Sequence, residues 1–104
     1  MAILYTNLPK PAWDERRIAH DFTDDLAVGD TIASIDSISV SDADTEADIT
    51  GTAKSAASDQ IDSGNRSVSA VYKGGTPGQK YSMVARVVTT NGEKLSAIIQ
   101  MAIE

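Results

Sequence analysis

Residues 81–103 read Tyr-Ser-Met-Val-Ala-Arg-Val-Val-Thr-Thr-Asn-Gly-Glu-Lys-Leu-Ser-Ala-Ile-Ile-Gln-Met-Ala-Ile. This stretch decides the fold. Tyr81, Met83, Ala85 and Val87 alternate with Ser82, Val84, Arg86 and Val88. Leu95, Ala97, Ile99, Met101 and Ile103 alternate in the same way. A period of two places each set on one face of a strand. Between them, Thr89-Thr-Asn-Gly92 predicts a hairpin. A two-residue Asn-Gly turn would set Tyr81 opposite Ala102 and Met83 opposite Gln100, mixing core with solvent. A three-residue loop, Thr90-Asn91-Gly92, pairs Thr89 with Glu93. Val87 then faces Leu95, Ala85 faces Ala97, Met83 faces Ile99 and Tyr81 faces Met101. A slip of one residue turns every side chain to the other face, so burial selects the second register. That loop needs a positive φ at its last position, which Gly92 adopts without steric cost.

Working back from the hairpin, Val68, Ala70 and Tyr72 alternate as a further strand. Lys73-Gly-Gly-Thr-Pro-Gly-Gln79 is a turn. Ser55 to Gly64, rich in Ser, Ala and Asp, reads as a loop with Ile61 tucked inward. Residues 41–50 are acidic and suit an exposed strand. Asp30 to Val40 is a strand with Ile32, Ile38 and Val40 on one face. Ile35 is out of step with Ile32, and Asp36-Ser37 gives room for an extra residue. Arg16 to Phe22 fits a strand through Ile18, His20 and Phe22. Pro9 and Pro11 favour extended backbone in residues 1–13. The expected organisation is an extended N-terminal arm, 1–13, followed by an antiparallel β-sandwich, 14–104. Roughly seven short strands separated by turn signals support an all-β sandwich.

The chain has 104 residues, 41% of them apolar, and no Cys. One domain of this size buries about two-thirds of its unfolded surface. The missing Cys excludes a disulfide framework, a thiolate metal site and a Cys nucleophile. It is compatible with folding in a reducing cytosol. The N-terminal residues lack the pattern of a signal peptide, and no apolar stretch approaches a membrane span. The formal net charge is −6, which disfavours nucleic-acid binding, because phosphate contacts need Lys and Arg. No membrane or nucleic-acid partner is therefore expected. Charge is uneven: residues 1–64 carry 13 acids against 4 bases, a net of −9, and residues 65–104 carry 2 acids against 5 bases, a net of +3.

No constellation for catalysis, cofactor or metal emerges. Asp42, Asp44, Glu46 and Asp48 could converge on Ca²⁺. An EF-hand loop counted from Asp42, however, needs Gly at position 47 and Glu at 53, where this chain has Ala47 and Ala53. An acidic edge that resists sheet-to-sheet aggregation is the better account. Gly74 to Lys80 resembles a phosphate loop only superficially, since a strand follows where a helix is required. His20, the single His, reads as a structural strand residue near the core. Asn65-Arg66-Ser67 matches a glycosylation acceptor, which matters only in a eukaryotic secretory pathway.

Several segments, in order, resemble the fiber-tail adaptor proteins of tailed bacteriophages. They are Pro9-Lys10-Pro11, Asp14-Glu15, Asp30-Thr-Ile-Ala-Ser34 after Gly29, Lys73-Gly-Gly-Thr-Pro-Gly-Gln-Lys-Tyr81, and Val88-Thr-Thr-Asn-Gly92. Aromatic residues common in that family near Phe22–Leu26 and Ile38 are absent, and residues 41–64 follow no pattern of it. The resemblance implies an immunoglobulin-like sandwich. It implies a structural, non-enzymatic virion protein, made in the host cytoplasm and joining tail or neck to fibers. A ligand- or carbohydrate-binding sandwich is the alternative. It would call for exposed aromatics, which are few. The charge split and the apolar Ile3, Leu4, Tyr5, Leu8 and Trp13 point to partner contacts and to a homo-oligomeric ring or collar.

Overall fold

The computed structural model describes the backbone of residues 2–104 and the side chains of residues 9–104. Seven strands form: β1 (Ala2–Lys10), β2 (Arg16–Asp21), β3 (Ile32–Asp42), β4 (Gln60–Ile61), β5 (Ser67–Tyr72), β6 (Lys80–Thr89) and β7 (Lys94–Ile103). One helical turn, α1 (Thr50–Ala53), lies between β3 and β4. A four-stranded sheet has the order β1-β7-β6-β3 and a three-stranded sheet the order β2-β5-β4. All pairings are antiparallel except β1 with β7.

The β6–β7 hairpin has the register that burial selects. Tyr81 pairs with Met101, Met83 with Ile99, Ala85 with Ala97 and Val87 with Leu95. The Thr89 amide donates to the Glu93 carbonyl at 2.8 Å, the Gly92 amide closes the loop onto the Thr89 carbonyl at 3.0 Å, and Gly92 has φ 89°. The inward row is buried throughout, apart from a half-buried Leu95 next to the loop.

β3 pairs with β6 from Ile32 opposite Thr89 to Asp42 opposite Tyr81. Its register shifts between Ile35 and Ser37, which leaves Asp36 as the extra residue. A second shift lies between Ile32 and Ser34. These bulges return Ile32, Ile38 and Val40 to the buried face. β2 and β5 present His20, Val68, Ala70 and Tyr72 from the other sheet, and the buried rows of both sheets form one core that includes Phe22 and Ala53.

Residues 42–50 are not the exposed strand that their alternation suggests. Asp42 Oδ1 accepts hydrogen bonds from the amides of Asp44 (2.8 Å) and Thr45 (3.1 Å), and the Glu46 amide donates to the Asp42 carbonyl at 2.8 Å. A carboxylate that bonds backbone two residues on folds the chain into a turn. Asp48 does the same for Thr50, bonding both its amide (3.0 Å) and its hydroxyl (2.7 Å). The turn is followed by α1, whose Ala53 is fully buried.

The packing sets a direct expectation. Ile99 is 1% exposed, so Ile99→Ala removes buried methylenes and leaves a cavity. Denaturant unfolding should show a loss of about 2–5 kcal/mol. A loss below about 0.5 kcal/mol, the level of an uninvolved surface position, would refute the burial of this row.

Candidate interaction surface

Each end of the four-stranded sheet is clamped by one of the motifs singled out in the sequence. At the hairpin end, Asp30 is 2% exposed. Its Oδ1 accepts from the Thr31 amide (2.9 Å) and the Asn91 amide (3.1 Å). Burial pushes this carboxyl up. The hydroxyl of Thr89 and the amides of Thr31, Asn91 and Thr90 more than offset that and hold it below its ordinary range. Thr31 and Thr90 add a hydroxyl pair at 2.9 Å. The Asp30-Thr31 segment therefore locks the Thr89-Thr-Asn-Gly92 loop.

At the other end, the turn after Tyr72 gathers β1, β3 and β7. The Gly78 amide donates to the Ile103 carbonyl at 2.9 Å, and the Ile103 amide donates to the Gln79 carbonyl at 2.9 Å. Gln79 Nε2 reaches Asp42 Oδ2 at 3.0 Å. Together with the amides of Asp44 and Thr45, this bond holds the Asp42 carboxyl below its usual range. Gly75 has φ +104°. A Cβ there would sit 2.8 Å from Ile103 Cγ1 and 2.9 Å from Tyr81 Oη, so only glycine fits. Lys10 is fully buried, and its Nζ donates to the carbonyls of Gly74 (2.9 Å) and Pro11 (3.1 Å). Burial lowers its pKa. The Glu104 amide donates to the Lys10 carbonyl and the Ala12 amide to the Glu104 carbonyl, which fastens the end of β1 beside the end of β7.

The outer face of the four-stranded sheet is graded in charge. Lys80, Arg86 and Lys94 are exposed on β6 and β7, around the half-buried Val84, Val88 and Ile98. An open hollow of about 210 Å³ is lined by Asp36, Arg86, Val88, Lys94 and Ser96 among others. Beyond β3, Asp44 and Glu46 stand exposed on the acidic turn. The −9 and +3 halves of the chain therefore do not map onto opposite faces. β5 lies between β2 and β4, and β6 and β7 lie between β3 and β1.

Among the described residues no group of three or more His, Cys, Asp or Glu could hold a metal, and no helix is long and apolar enough to cross a membrane. His20 is fully buried, with Nε2 at 3.1 Å from the Met83 carbonyl and no partner for Nδ1. It ties β2 to the opposite sheet. Of the expected partner-binding residues, Trp13 is 92% exposed on the connection between β1 and β2. Ile3, Leu4, Tyr5 and Leu8 lie in β1, where Ile3 pairs with Ile98, Tyr5 with Ile99 and Leu8 with Met101; their side chains lie outside the described residues. The buried Lys10 and the Asp30 clamp were not anticipated as such. The motif containing Asp30 was the available signal.

Burial lowers the pKa of His20 from the ordinary 6.5, and its bond to the Met83 carbonyl offsets this only in part. The unfolded chain then takes up a proton at a higher pH than the folded one. The stability that neutral His20 supports is complete above pH 6.5 and falls as pH drops below it toward the folded-state value. The lowered carboxylates lose their contribution further down, below about pH 4. Thermal melts should show Tm declining between pH 7 and pH 5, and His20→Gln should flatten that decline. An unchanged slope in the variant would place the titration elsewhere.

Neither a curated protein nor a solved structure matches the chain. Residues 10–101 match the family described as podophage GP4 fiber-tail adaptor protein gp77. The match spans both clamps and all of β2 to β6, and the chain belongs to this podophage fiber-tail adaptor family.

Proposed function

We propose that this chain, a non-enzymatic structural component of a phage tail by its family, does its work as an immunoglobulin-like sandwich that assembles head to tail into a ring or collar. The strand order supports the sandwich type. β3-β6-β7 and β2-β5-β4 correspond to the C-F-G and B-E-D arrangements of immunoglobulin domains, with β1 added beside the last strand. Tail and fiber proteins are the partners that the adaptor role entails. Residues 1–13, with Ile3, Leu4, Tyr5, Leu8 and Trp13, supply apolar contact to them or to neighbouring copies.

The observation that carries the assembly is the charge gradient on one sheet. Asp44 and Glu46 lie beyond its β3 edge, while Lys80, Arg86 and Lys94 occupy its β6 and β7 rows. Two different, complementary patches on one molecule make a heterologous contact, which closes into a ring when the rotation allows. Opposite charge steers the encounter and fixes its register.

Charge reversal tests this. Asp44→Lys with Glu46→Lys, or Arg86→Glu with Lys94→Glu, should each abolish assembly in sedimentation at low salt and remove fibers from purified particles. These exposed positions should leave circular dichroism unchanged. Mixing the two reversed chains should restore association, because each then offers the patch the other lacks. Assembly unaffected by either reversal would overturn the head-to-tail contact.

A further inference from the structure

We infer that β1 is an exchangeable strand, which leaves the edge of its own β7 and pairs with β7 of a neighbouring copy. The inference rests on the reading that copies meet in a ring, and it specifies what passes between them.

The pairing of β1 differs from the others in three ways. It is the one parallel pairing among the described strands, and parallel pairing is slightly weaker per residue. Its register shifts twice within nine residues, between Ile3 and Tyr5 and again between Tyr5 and Leu8. Finally, the family match begins at residue 10, where β1 ends, so the unit common to the family includes the β7 edge but almost none of the strand covering it.

The base of β1 is fixed while the rest is not. Lys10 is buried and bonded to Gly74, and its carbonyl accepts the Glu104 amide. Pro9 immediately precedes this anchor and Pro11 follows the Lys. Proline donates no backbone hydrogen bond, so the strand is interrupted just outside the anchor, at the natural hinge. Residues 1–9 reach about 30 Å when extended. The molecule measures 23 × 20 Å across its shorter axes. A strand pivoting at Pro9 therefore reaches the corresponding edge of a copy in contact.

The occupant of the vacated edge follows from the edge itself. Without β1, β7 presents ten residues of unpaired backbone, including Ala97, Ile98, Ile99 and Met101. Such an edge strongly favours another strand. The sequence that fits it is β1, and a second copy supplies the same sequence with the same pairings. Exchange of identical elements costs only the change at the hinge. In a head-to-tail ring each copy would donate one strand and receive one, and the contact would gain main-chain hydrogen bonds on top of charge steering.

The chain lacks Cys, so crosslinking is unambiguous. One chain carries Ile3→Cys alone and a mass-tagged second chain carries Ile98→Cys alone, positions that pair in register. The two are co-expressed, oxidised and analysed without reductant, with sedimentation run in parallel. Exchange predicts disulfide-linked pairs containing one chain of each kind. A double variant, Ile3→Cys with Ile98→Cys, should give linear or closed multimers. Intrachain disulfide as the only product of the double variant, with no mixed pair, would overturn the exchange. Sedimentation then shows separately whether copies associate. Absence of any disulfide would contradict the β1–β7 register and overturn the proposal with it.

Discussion

The carboxylate of Asp30, buried beside the loop of the β6–β7 hairpin, fixes what the rest of the molecule builds on. It accepts the amides of Thr31 and Asn91, so the entry to β3 and the hairpin loop share one acceptor. With the loop held at three residues, Thr89 faces Glu93 and Gly92 takes the positive φ. Each inward residue of β6 then faces an inward residue of β7. A loop shorter by one would turn one strand over and bury Ser82, Arg86 or Gln100 in place of Met83, Ala85 or Ile99, at the cost of unpaired polar groups in the core. The three-stranded sheet has no comparable lock. It is held mainly by burial and by His20 reaching the Met83 carbonyl across the core.

The second clamp works at the opposite end with different chemistry. Gly75 brings backbone against Ile103 and Tyr81, closer than any side chain permits. Gln79 joins that turn to Asp42 at the end of β3. The two clamps account physically for the segments by which the chain resembles its family. They sit where strands from different parts of the sequence must be held in register, and the family match spans both. An adaptor transmits force between tail and fiber. Register held at both ends of a sheet suits that load, and exposed charge remains free on the outer face.

Much of this was legible in the residues. The hairpin was, because strict alternation and one glycine leave a single register that buries Met83 with Ile99. The bulge at Asp36 was, because Ile35 falls out of step with Ile32. The acidic stretch was not. Asp42, Asp44, Glu46 and Asp48 alternate like an exposed strand, but the side chains of Asp42 and Asp48 bond their own backbone and impose a turn. Lys10 was not legible either. Burial of an ammonium depends on the carbonyl of Gly74, 64 residues away. The parallel pairing of β1 with β7 is equally long-range and leaves no local pattern. The uneven charge was visible, but strand order interleaves the two halves, and only the fold places Asp44 and Glu46 at one edge of the sheet and Arg86 and Lys94 in its middle.

Amide hydrogen exchange, read residue by residue in the intact chain, tests the central claim most directly. If the clamped hairpin organises the fold, amides bonded between β6 and β7 should be the last to exchange, with those of Ile32 to Val40 next and β1 earliest of the four-stranded sheet. Amides of the β2–β5 pair should open before the hairpin does. If the β6–β7 amides exchange before those of β2 and β5, the hairpin is a dependent element and the account is wrong.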